Sequence, residues 1–522
     1  MGAKPRGDWR EGLSEGARAL GEAPLPSRVV AVRHDSRRVE PGDLFVCLRG
    51  ERADGHEHAA RAVEVGAAAI VAEVGRGEAL RALGVPVVEV PEGRAALAQV
   101  AAAHEGYPAR SLTVVGVTGT DGKSTTAFLL LAALEGAGVS AGLLSTVESR
   151  IAGRRIPPAS RLTTPEASEV QRLLAEMVEA GCTHAIVEAT SHGLVQHRLD
   201  GVDFDVGVVT TLGVDHLDFH GTREAYHAAK ARLFEALPGD GCAVLNADEP
   251  EATAYLDGLT RARVLRYALE GGAAPAADAR ADAIEAGARG SRFRVSLPGT
   301  TVDAAIDARV PMPGRVNVAN ALAALTVAHA LGLDVERAVA GLAACPGVPG
   351  RMERIAEAPV DVIVDYAHTE AALRQLLGTL RAGAAGRLIV VFGCAGERGR
   401  ERRAGMGRAA AELADYAVLT EEDPRSEEPG AILEEIAEAM RSAGAVEGER
   451  FERVPDRRAA IARALELARA GDVVVLAGKG HESTIERADG ARPWGEAAVA
   501  RQLVSERLGA SETTDTTARA TG

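Results

Sequence analysis

The stretch Val-Val-Gly-Val-Thr-Gly-Thr-Asp-Gly-Lys-Ser-Thr-Thr at residues 114–126 indicates the architecture of the middle of the chain. An apolar run typical of a β-strand leads into a glycine-rich turn, and the apolar segment 128–134 then has the character of a helix. Glycines let backbone N–H groups approach phosphate oxygens, Lys123 adds positive charge, and the Ser124 hydroxyl is a ligand for Mg²⁺. We therefore predict a strand, a phosphate-binding loop and a helix. The residues of this loop expected to bind ATP are Gly119, Thr120, Asp121, Gly122, Lys123, Ser124 and Thr125.

Composition indicates a soluble globular protein of several domains. The chain has 522 residues, 46% of them hydrophobic and 25% charged, and this length exceeds what one core accommodates. The formal net charge of −15 argues against nucleic acid or membrane as a partner, because both attract an excess of Lys and Arg. Five cysteines without C-x-x-C spacing, no signal peptide and no long apolar span favour a cytoplasmic protein.

Three α/β domains are expected along the chain. Short apolar runs alternate with helical stretches over residues 28–109, which predicts a small N-terminal domain. The same alternation predicts a central P-loop-type ATPase domain with a mostly parallel sheet over residues 110–346 and a C-terminal Rossmann-like domain over residues 347–510. Residues 1–27 and 511–522 lack apolar periodicity, so we expect them to be flexible.

Two polar side chains follow strand-like runs in the central segment. Glu188 follows the run Ala185–Val187, and His216 also comes after an apolar strand. Ligands of α/β sheets bind beyond the carboxyl ends of the strands. With the Ser124 hydroxyl, a carboxylate here offers the hard oxygens that Mg²⁺ prefers. We expect catalytic, metal-binding roles for Glu188 and His216, whereas Lys230, on the helical pattern of residues 226–234, reads by itself as an exposed helix lysine.

The chain resembles the Mur ligase family, of the MurE type, over roughly residues 33–500. Its loop fits the pattern T-G-T-x-G-K-[ST], because Val117 stands where the Walker A pattern requires a glycine. That variant is found in Mur ligases and in folylpolyglutamate synthetases. The ordered motifs that carry the likeness are Asp35-Ser36-Arg37, Pro41–Phe45, Thr118–Thr126, Thr163-Thr164-Pro165, Glu188–Arg198, Asp215–His220, Ala229-Lys230, Leu233-Phe234, Asn246–Asp248, Gly350–Glu353, Asp365–Thr369 and Gly478–Glu482.

The resemblance implies specific roles for residues that the pattern alone leaves open. It implies that Lys230 carries a carbamate (N6-carboxylysine) and, with Ser124, Glu188 and His216, holds two Mg²⁺ ions. Burial near metal would lower the pKa of the lysine, as carbamylation requires. The family also implies that Arg351 and Asp365 meet ATP when the last domain closes. The residues implied to bind UDP-N-acetylmuramoyl-L-alanyl-D-glutamate are Ser36, Thr163, Thr164, Thr190, Gln196 and Arg198.

The incoming amino acid is expected to be meso-diaminopimelate, with L-lysine or L-ornithine as the open alternatives. Glu422-Asp423-Pro424-Arg425 stands in place of the family's D-N-P-R signature, and an arginine fork suits the far carboxylate of diaminopimelate. Asp423 replaces the signature asparagine, and its negative charge would favour an ammonium group instead. The residues implied to form this pocket are Arg398, Asp423, Arg425, Gly478 and Glu482.

The expected function is an ATP-dependent amide ligase of peptidoglycan precursor synthesis, cytoplasmic and monomeric, which acts through an acyl phosphate. Lys123, Glu188, His216 and Lys230 are its expected catalytic residues. A folylpolyglutamate synthetase would share the loop but does not explain the motif at residues 35–45. A P-loop kinase or motor ATPase has no need of Glu188, His216 and Lys230 together. A binding scaffold that has lost catalysis stays open, because several signature residues are replaced.

Overall fold

The computed structural model describes residues 7–50, 53–156, 162–271, 277–287, 289–298 and 305–507. Within these residues the chain falls into two compact units. The first comprises residues up to 283 with 293–308 and 318–344, and the second comprises 284–292, 309–317 and the residues from 345 onward. The prediction of an α/β protein with mostly parallel sheets is confirmed. No helix in the described ranges is both long and apolar enough to cross a bilayer.

The N-terminal sheet has the strand order β1-β5-β4-β3-β2. Strands β2 to β5 pair in parallel, and β1 closes one edge antiparallel to β5. Its elements are β1 Arg18–Leu20, β2 Val32–Arg33, β3 Leu44–Val46, α1 Ala59–Val65, β4 Ala69–Glu73, α2 Gly77–Leu80, β5 Val87–Val90 and α3 Gly93–His104.

The expectation that residues 1–27 are flexible is wrong for residues 7–27. Trp9 is fully buried in the core of the N-terminal sheet, and its indole N–H donates to the Pro26 carbonyl at 2.8 Å. Strand β1 pairs Leu20 with Val87. A single large aromatic side chain buries enough apolar surface to fix a segment that is otherwise rich in Gly, Pro and Glu. Residues 1–6 and 511–522 lie outside the described residues.

The central sheet has the strand order β16-β15-β14-β13-β12-β11-β6-β10-β7-β8-β9 in the described residues. Strands β7, β10, β6, β11, β12, β13 and β14 pair in parallel, and β8 and β9 continue antiparallel. The strands are β6 Thr113–Thr118, β7 Ala141–Leu144, β8 Ser149–Ile151, β9 Arg154–Ile156, β10 His184–Glu188, β11 Val206–Val209, β12 Cys242–Asn246, β13 Arg263–Leu269, β14 Ala279–Gly287, β15 Gly290–Ser296 and β16 Ile306–Val310. The helices are α4 Lys123–Gly136, α5 Ala167–Glu179, α6 Ser191–Val195, α7 Leu217–His220, α8 Arg223–Glu235, α9 Pro250–Asp257, α10 Arg315–Ala330 and α11 Val335–Ala343.

The C-terminal sheet has the strand order β17-β18-β22-β19-β20-β21, parallel except for β17. Along Val473–Ala477, alternate residues enter two separate buried clusters on opposite faces. Helices therefore cover both faces, which explains the unbroken apolar run. The elements are β17 Glu353–Ala356, β18 Asp361–Asp365, α12 Glu370–Arg381, β19 Leu388–Phe392, α13 Arg400–Leu413, β20 Tyr416–Leu419, α14 Pro429–Ser442, β21 Phe451–Arg453, α15 Arg457–Leu467, β22 Val473–Ala477 and the hairpin β23 Thr484–Arg487 with β24 Gly490–Pro493.

Candidate active site

Three neighbouring parallel strands bring the phosphate loop and its partners to one edge of the central sheet. Strand β6 lies between β10 and β11, and its end is level with theirs: Glu188 pairs with Val117, and Val209 pairs with Thr118. The loop 119–122 therefore leaves the sheet between the carboxyl ends of β10 and β11. This is where doubly wound sheets bind ligands.

The loop backbone is held in conformations that favour glycine. Gly119 and Gly122 have φ of +146° and +84°, and α4 begins immediately afterwards at Lys123. No side chain among the described residues caps this helix start. Its first N–H groups have no partner within the helix, and they suit a bound phosphate.

Gly119→Ala is expected to weaken ATP binding at least about tenfold, because backbone strain and contact together cost more than about 1.4 kcal/mol. A Cβ at this position would lie 1.9 Å from Oγ1 of Thr210. Calorimetric titration with ATP and Mg²⁺ measures the effect. Gly181→Ala is the matched control, because Gly181 also has positive φ but has open space around it. Equal affinity for ATP in the two variants would contradict the proposed path of the loop.

The Glu188 carboxylate is the buried acid of the site. It is 1% exposed and accepts hydrogen bonds from the Ser124 hydroxyl at 3.1 Å and from the Thr146 hydroxyl at 2.9 Å. The Thr146 N–H donates to its other oxygen at 3.3 Å. A hydroxyl and a carboxylate beside a phosphate loop form an oxygen donor set suited to Mg²⁺, which takes one or two carboxylates together with substrate phosphates and water.

Two lysines share one carbonyl oxygen of the loop. Lys123 donates from Nζ to the carbonyls of Gly119 at 3.0 Å and Thr120 at 2.9 Å. Lys230, on α8, is 1% exposed and donates to the same Gly119 carbonyl at 2.6 Å. Burial, and then the charge of Lys123, hold the pKa of Lys230 well below its usual value. The sequence pattern alone suggested an exposed lysine, and that reading is wrong.

His216 lies at the start of α7 with a left-handed backbone, φ 52°. Its side chain is 45% exposed, and its Nε2 lies 3.5 Å from a carboxylate oxygen of Asp215. Its ring meets that of His192 edge to face at 4.7 Å. The charges of Lys123 and Lys230 are both close enough to influence the protonation of the His216 imidazole. No group of three or more His, Cys, Asp and Glu in the described ranges is arranged as a metal site by itself.

Four of the six expected UDP-substrate residues form one connected group next to Glu188. The Thr164 hydroxyl donates to the backbone carbonyl of Glu188 at 2.8 Å and lies 2.9 Å from the Thr190 hydroxyl. The buried Arg198 donates to the Thr164 carbonyl at 3.1 Å and to the Gln196 side chain at 2.6 Å. These contacts fix a guanidinium and two hydroxyls near Glu188.

The other two expected UDP-substrate residues are Thr163 and Ser36. Thr163 is half-buried and directly precedes Thr164 in the chain. Ser36 is buried in the short turn Ser36–Arg38 of the N-terminal sheet region. Its neighbours His34 and Asp35 line a cavity of about 150 Å³.

The residues expected to bind the incoming amino acid follow the carboxyl ends of β19, β20 and β22, which are adjacent in the C-terminal sheet. Arg425 donates from Nε to Glu486 at 3.2 Å and from Nη1 to the Gly396 carbonyl at 3.2 Å. Gly478, with φ +104°, brings its backbone against Glu422, since a Cβ there would lie 3.0 Å from Oε2 of Glu422. Arg398 is exposed in the loop after β19.

The structure adds residues here that sequence reasoning missed. Lys479 is fully buried and lies 2.9 Å from a carboxylate oxygen of Asp423 and 2.6 Å from one of Glu482. Glu422 is 6% exposed, and burial raises its pKa to about 7. The place of Glu422 inside the signature and the charge at position 479 were visible in the sequence, but the pairing of Lys479 with Asp423 and Glu482 was not.

A buried ion pair ties the ends of these strands together. Arg457 and Glu496 are joined at 2.7 Å, and both side chains are fully buried. The same guanidinium donates to the carbonyls of Glu421 at 2.9 Å and Ala477 at 2.8 Å. The loops after β20 and β22 are thereby fixed to one another.

The two expected C-terminal ATP residues lie in the second compact unit. The Arg351 guanidinium lies over the Tyr366 ring, 4.4 Å from its centroid. Asp365 ends β18 and accepts hydrogen bonds from the N–H groups of Met352 at 2.7 Å and Ala367 at 2.8 Å.

Comparison with known proteins gives a consistent result over almost the whole chain. The family descriptions "Mur ligase family, catalytic domain", "Mur ligase middle domain" and "Mur ligase, glutamate ligase domain" match residues 28–105, 117–328 and 350–480. The chain is 46% identical to the UDP-N-acetylmuramyl-tripeptide synthetase of Roseiflexus sp. (strain RS-1), over 92% of this chain and 96% of that protein. It is 41% identical to the UDP-N-acetylmuramoyl-L-alanyl-D-glutamate--2,6-diaminopimelate ligase of Streptomyces coelicolor, over 92% and 94%. A solved structure of a ligase of the latter name superposes with a TM-score of 0.63 at 31% identity, covering 94% of this chain and 97% of that one.

Proposed function

The chain belongs to the Mur ligase family of ATP-dependent ligases, and we propose that it adds the third amino acid to UDP-N-acetylmuramoyl-L-alanyl-D-glutamate in peptidoglycan precursor synthesis. The observation that carries the proposal is the buried Glu188 carboxylate bonded to Ser124 at the foot of the phosphate loop. In P-loop enzymes a hydroxyl and a carboxylate beside the phosphate loop hold the Mg²⁺ that serves phosphoryl transfer. ATP and a UDP-linked substrate are both cytoplasmic, so the reaction belongs there, and a monomer suffices.

The reaction proceeds through an acyl phosphate. The side-chain carboxylate of the substrate's D-glutamate attacks the γ-phosphate of ATP, and ADP leaves. The amino group of the incoming amino acid then attacks the acyl carbon, and phosphate is expelled from the tetrahedral intermediate. Lys123 neutralises charge on the transferring phosphoryl group, the main electrostatic task of the site. The closed site excludes water, which otherwise hydrolyses the acyl phosphate.

Magnesium fits the donor set of the central site. Ser124 and Glu188 would hold one ion with the phosphates, and His216 with a carbamylated Lys230 would hold a second. When bound, the ions supply Lewis-acid charge neutralisation to the phosphoryl oxygens. The contact between Lys230 and the Gly119 carbonyl supports this assignment, because it places position 230 beside the phosphate loop.

The other expected roles are proposed on the geometry of the two groups already described. Arg198 and the hydroxyls of Thr164 and Thr190 suit the anionic dipeptide and diphosphate of the UDP substrate. The uridine end of that substrate is proposed to bind near Ser36. Thr163 and Gln196 complete that set. Arg351 and Asp365 are proposed to meet ATP on domain closure.

We assign meso-diaminopimelate as the amino acid. Arg425 is positioned through Nε and Nη1, so the rest of its fork is available for a carboxylate. The carboxyl groups of Glu422, against Gly478, and of Glu482, against Lys479, suit an ammonium group, and Gly478 keeps the backbone open to the ligand. Diaminopimelate carries both charges at its far end, whereas lysine and ornithine carry only the ammonium group.

The test is phosphate release with ATP, Mg²⁺ and UDP-N-acetylmuramoyl-L-alanyl-D-glutamate, with diaminopimelate, lysine or ornithine offered singly. Wild type is expected to use diaminopimelate, and Arg425→Met to lose about 10²-fold for it, since a charge-assisted contact contributes about 1.5–3 kcal/mol. Arg492→Met, which breaks an exposed ion pair with Asp489, is the control and should match wild type. Activity with lysine alone would overturn the assignment of Arg425. Binding of both substrates without release would instead indicate a scaffold that has lost catalysis.

A further inference from the structure

Lysine is scarce in this chain and concentrated at the two sites. Of the 59 basic residues, only four are lysines, at positions 4, 123, 230 and 479. Lys4 lies outside the described residues, and the other three are in the central site or the amino-acid pocket. Arginine fills every other one of these positions, and a lysine differs from it in presenting a compact ammonium group instead of a guanidinium fork. Lys123 and Lys230 have proposed roles, and Lys479 has none.

The contacts of Lys479 connect two loops of the pocket. Its ammonium group is fully buried, 2.9 Å from Oδ1 of Asp423 after β20 and 2.6 Å from Oε2 of Glu482 after β22. Asp423 is itself 4% exposed, and the same Oδ1 accepts the N–H of Glu486 at 2.8 Å. The carboxylate that replaces the signature asparagine is therefore engaged with the protein on its Oδ1 side.

The buried ammonium group and the two carboxylates together carry a net charge of −1, so no positive charge is left over. Removing one member of a buried pair leaves an uncompensated charge and is strongly destabilising, whereas removing both members can be nearly neutral. Asp423 and Lys479 therefore depend on each other. The expectation that the negative charge of Asp423 favours an ammonium group of the substrate is weakened, because Lys479 lies beside it.

We propose that Lys479 is a positioning residue that neutralises Asp423 and orients Glu482, so that Asp423 is an internal counter-ion and not a ligand of the incoming amino acid. The proposal rests on the proposed function for the identity of the substrate. It explains how an acidic residue in the signature stays compatible with a substrate carboxylate at Arg425. It extends the set of specificity-determining residues to position 479.

The experiment compares Lys479→Met, Asp423→Asn and the double variant in phosphate release, with Arg492→Met as the control. Lys479→Met is expected to raise KM for diaminopimelate at least about tenfold and to leave KM for ATP within about twofold, because the pocket alone loses its charge balance. Asp423→Asn should raise it only about threefold, since an amide oxygen still accepts the Glu486 N–H. The double variant should have a lower KM than Lys479→Met.

A direct substrate contact at Asp423 predicts the opposite order. In that case Asp423→Asn alone raises KM at least about tenfold and the double variant is no better than Lys479→Met, which would overturn the proposal. Thermal unfolding separates this failure from failure of the proposed function. Even without any amino-acid-dependent activity, the midpoint should fall in Lys479→Met and recover in the double variant. A midpoint that falls further in the double variant would also overturn the proposal.

Discussion

Lys123→Ala is expected to lose at least about 10³-fold in kcat/KM for amino-acid-dependent phosphate release, or about 4 kcal/mol of transition-state stabilisation. The ammonium group lies at the start of α4, where it donates to the carbonyls of Gly119 and Thr120. From this position it can turn to the phosphoryl group, where negative charge is concentrated during transfer. Initial rates at saturating and limiting ATP measure the loss.

The control for Lys123→Ala is Arg223→Ala, which removes an exposed cation from the first turn of α8. It should retain wild-type rates, because an exposed charge is screened by water and salt. Both variants should unfold at nearly the wild-type temperature, since water can serve the carbonyls of Gly119 and Thr120 in place of the Lys123 ammonium group. Full ligase activity in Lys123→Ala would rule out the proposed phosphoryl transfer.

The elements of the fold were predictable where a local pattern was strong. The unbroken apolar run Leu388–Phe392 forms β19, and the helix expected after the phosphate loop is α4, Lys123–Gly136. Both are apolar segments bounded by turn residues, so local periodicity carries the information. Trp9 shows the limit, because its burial depends on partners far away in the chain, around Pro26 and α3.

The site was predictable as a set of residues but not as a set of contacts. Glu188 was expected at a strand end and does bond to Ser124, since parallel strands place such residues on one edge. The pairing of Asp423 with Lys479 joins positions 56 residues apart, and no periodicity encodes it. The sequence therefore indicated the negative charge of Asp423 but not that Lys479 neutralises it.

The same distinction applies to Lys230. The local sequence pattern predicted an exposed side chain, whereas the tertiary structure buries it. Its amine and that of Lys123 donate to a single carbonyl oxygen, at 2.6 Å and 3.0 Å. Two ammonium groups so close repel each other, and burial and this repulsion both lower the pKa of Lys230. A neutral amine can add to CO₂, forming an N–C bond and releasing one proton to solvent. The resulting carbamate is an anion, so the repulsion from Lys123 becomes attraction.

Lys230→Ala and Lys230→Arg are both expected to lose at least about 10²–10³-fold in kcat, since neither can supply an anionic ligand and each removes one such electrostatic contribution. Arginine keeps the positive charge and cannot form the carbamate, so it separates the two chemical roles of the residue. Added formate or acetate should partly restore Lys230→Ala, where the shorter side chain leaves room for a carboxylate, and should not restore Lys230→Arg. In wild type, ¹³C-labelled bicarbonate should give a carbamate carbon signal by NMR that both variants lack. Wild-type activity in Lys230→Arg would show that position 230 acts as a cation and would exclude the carbamate.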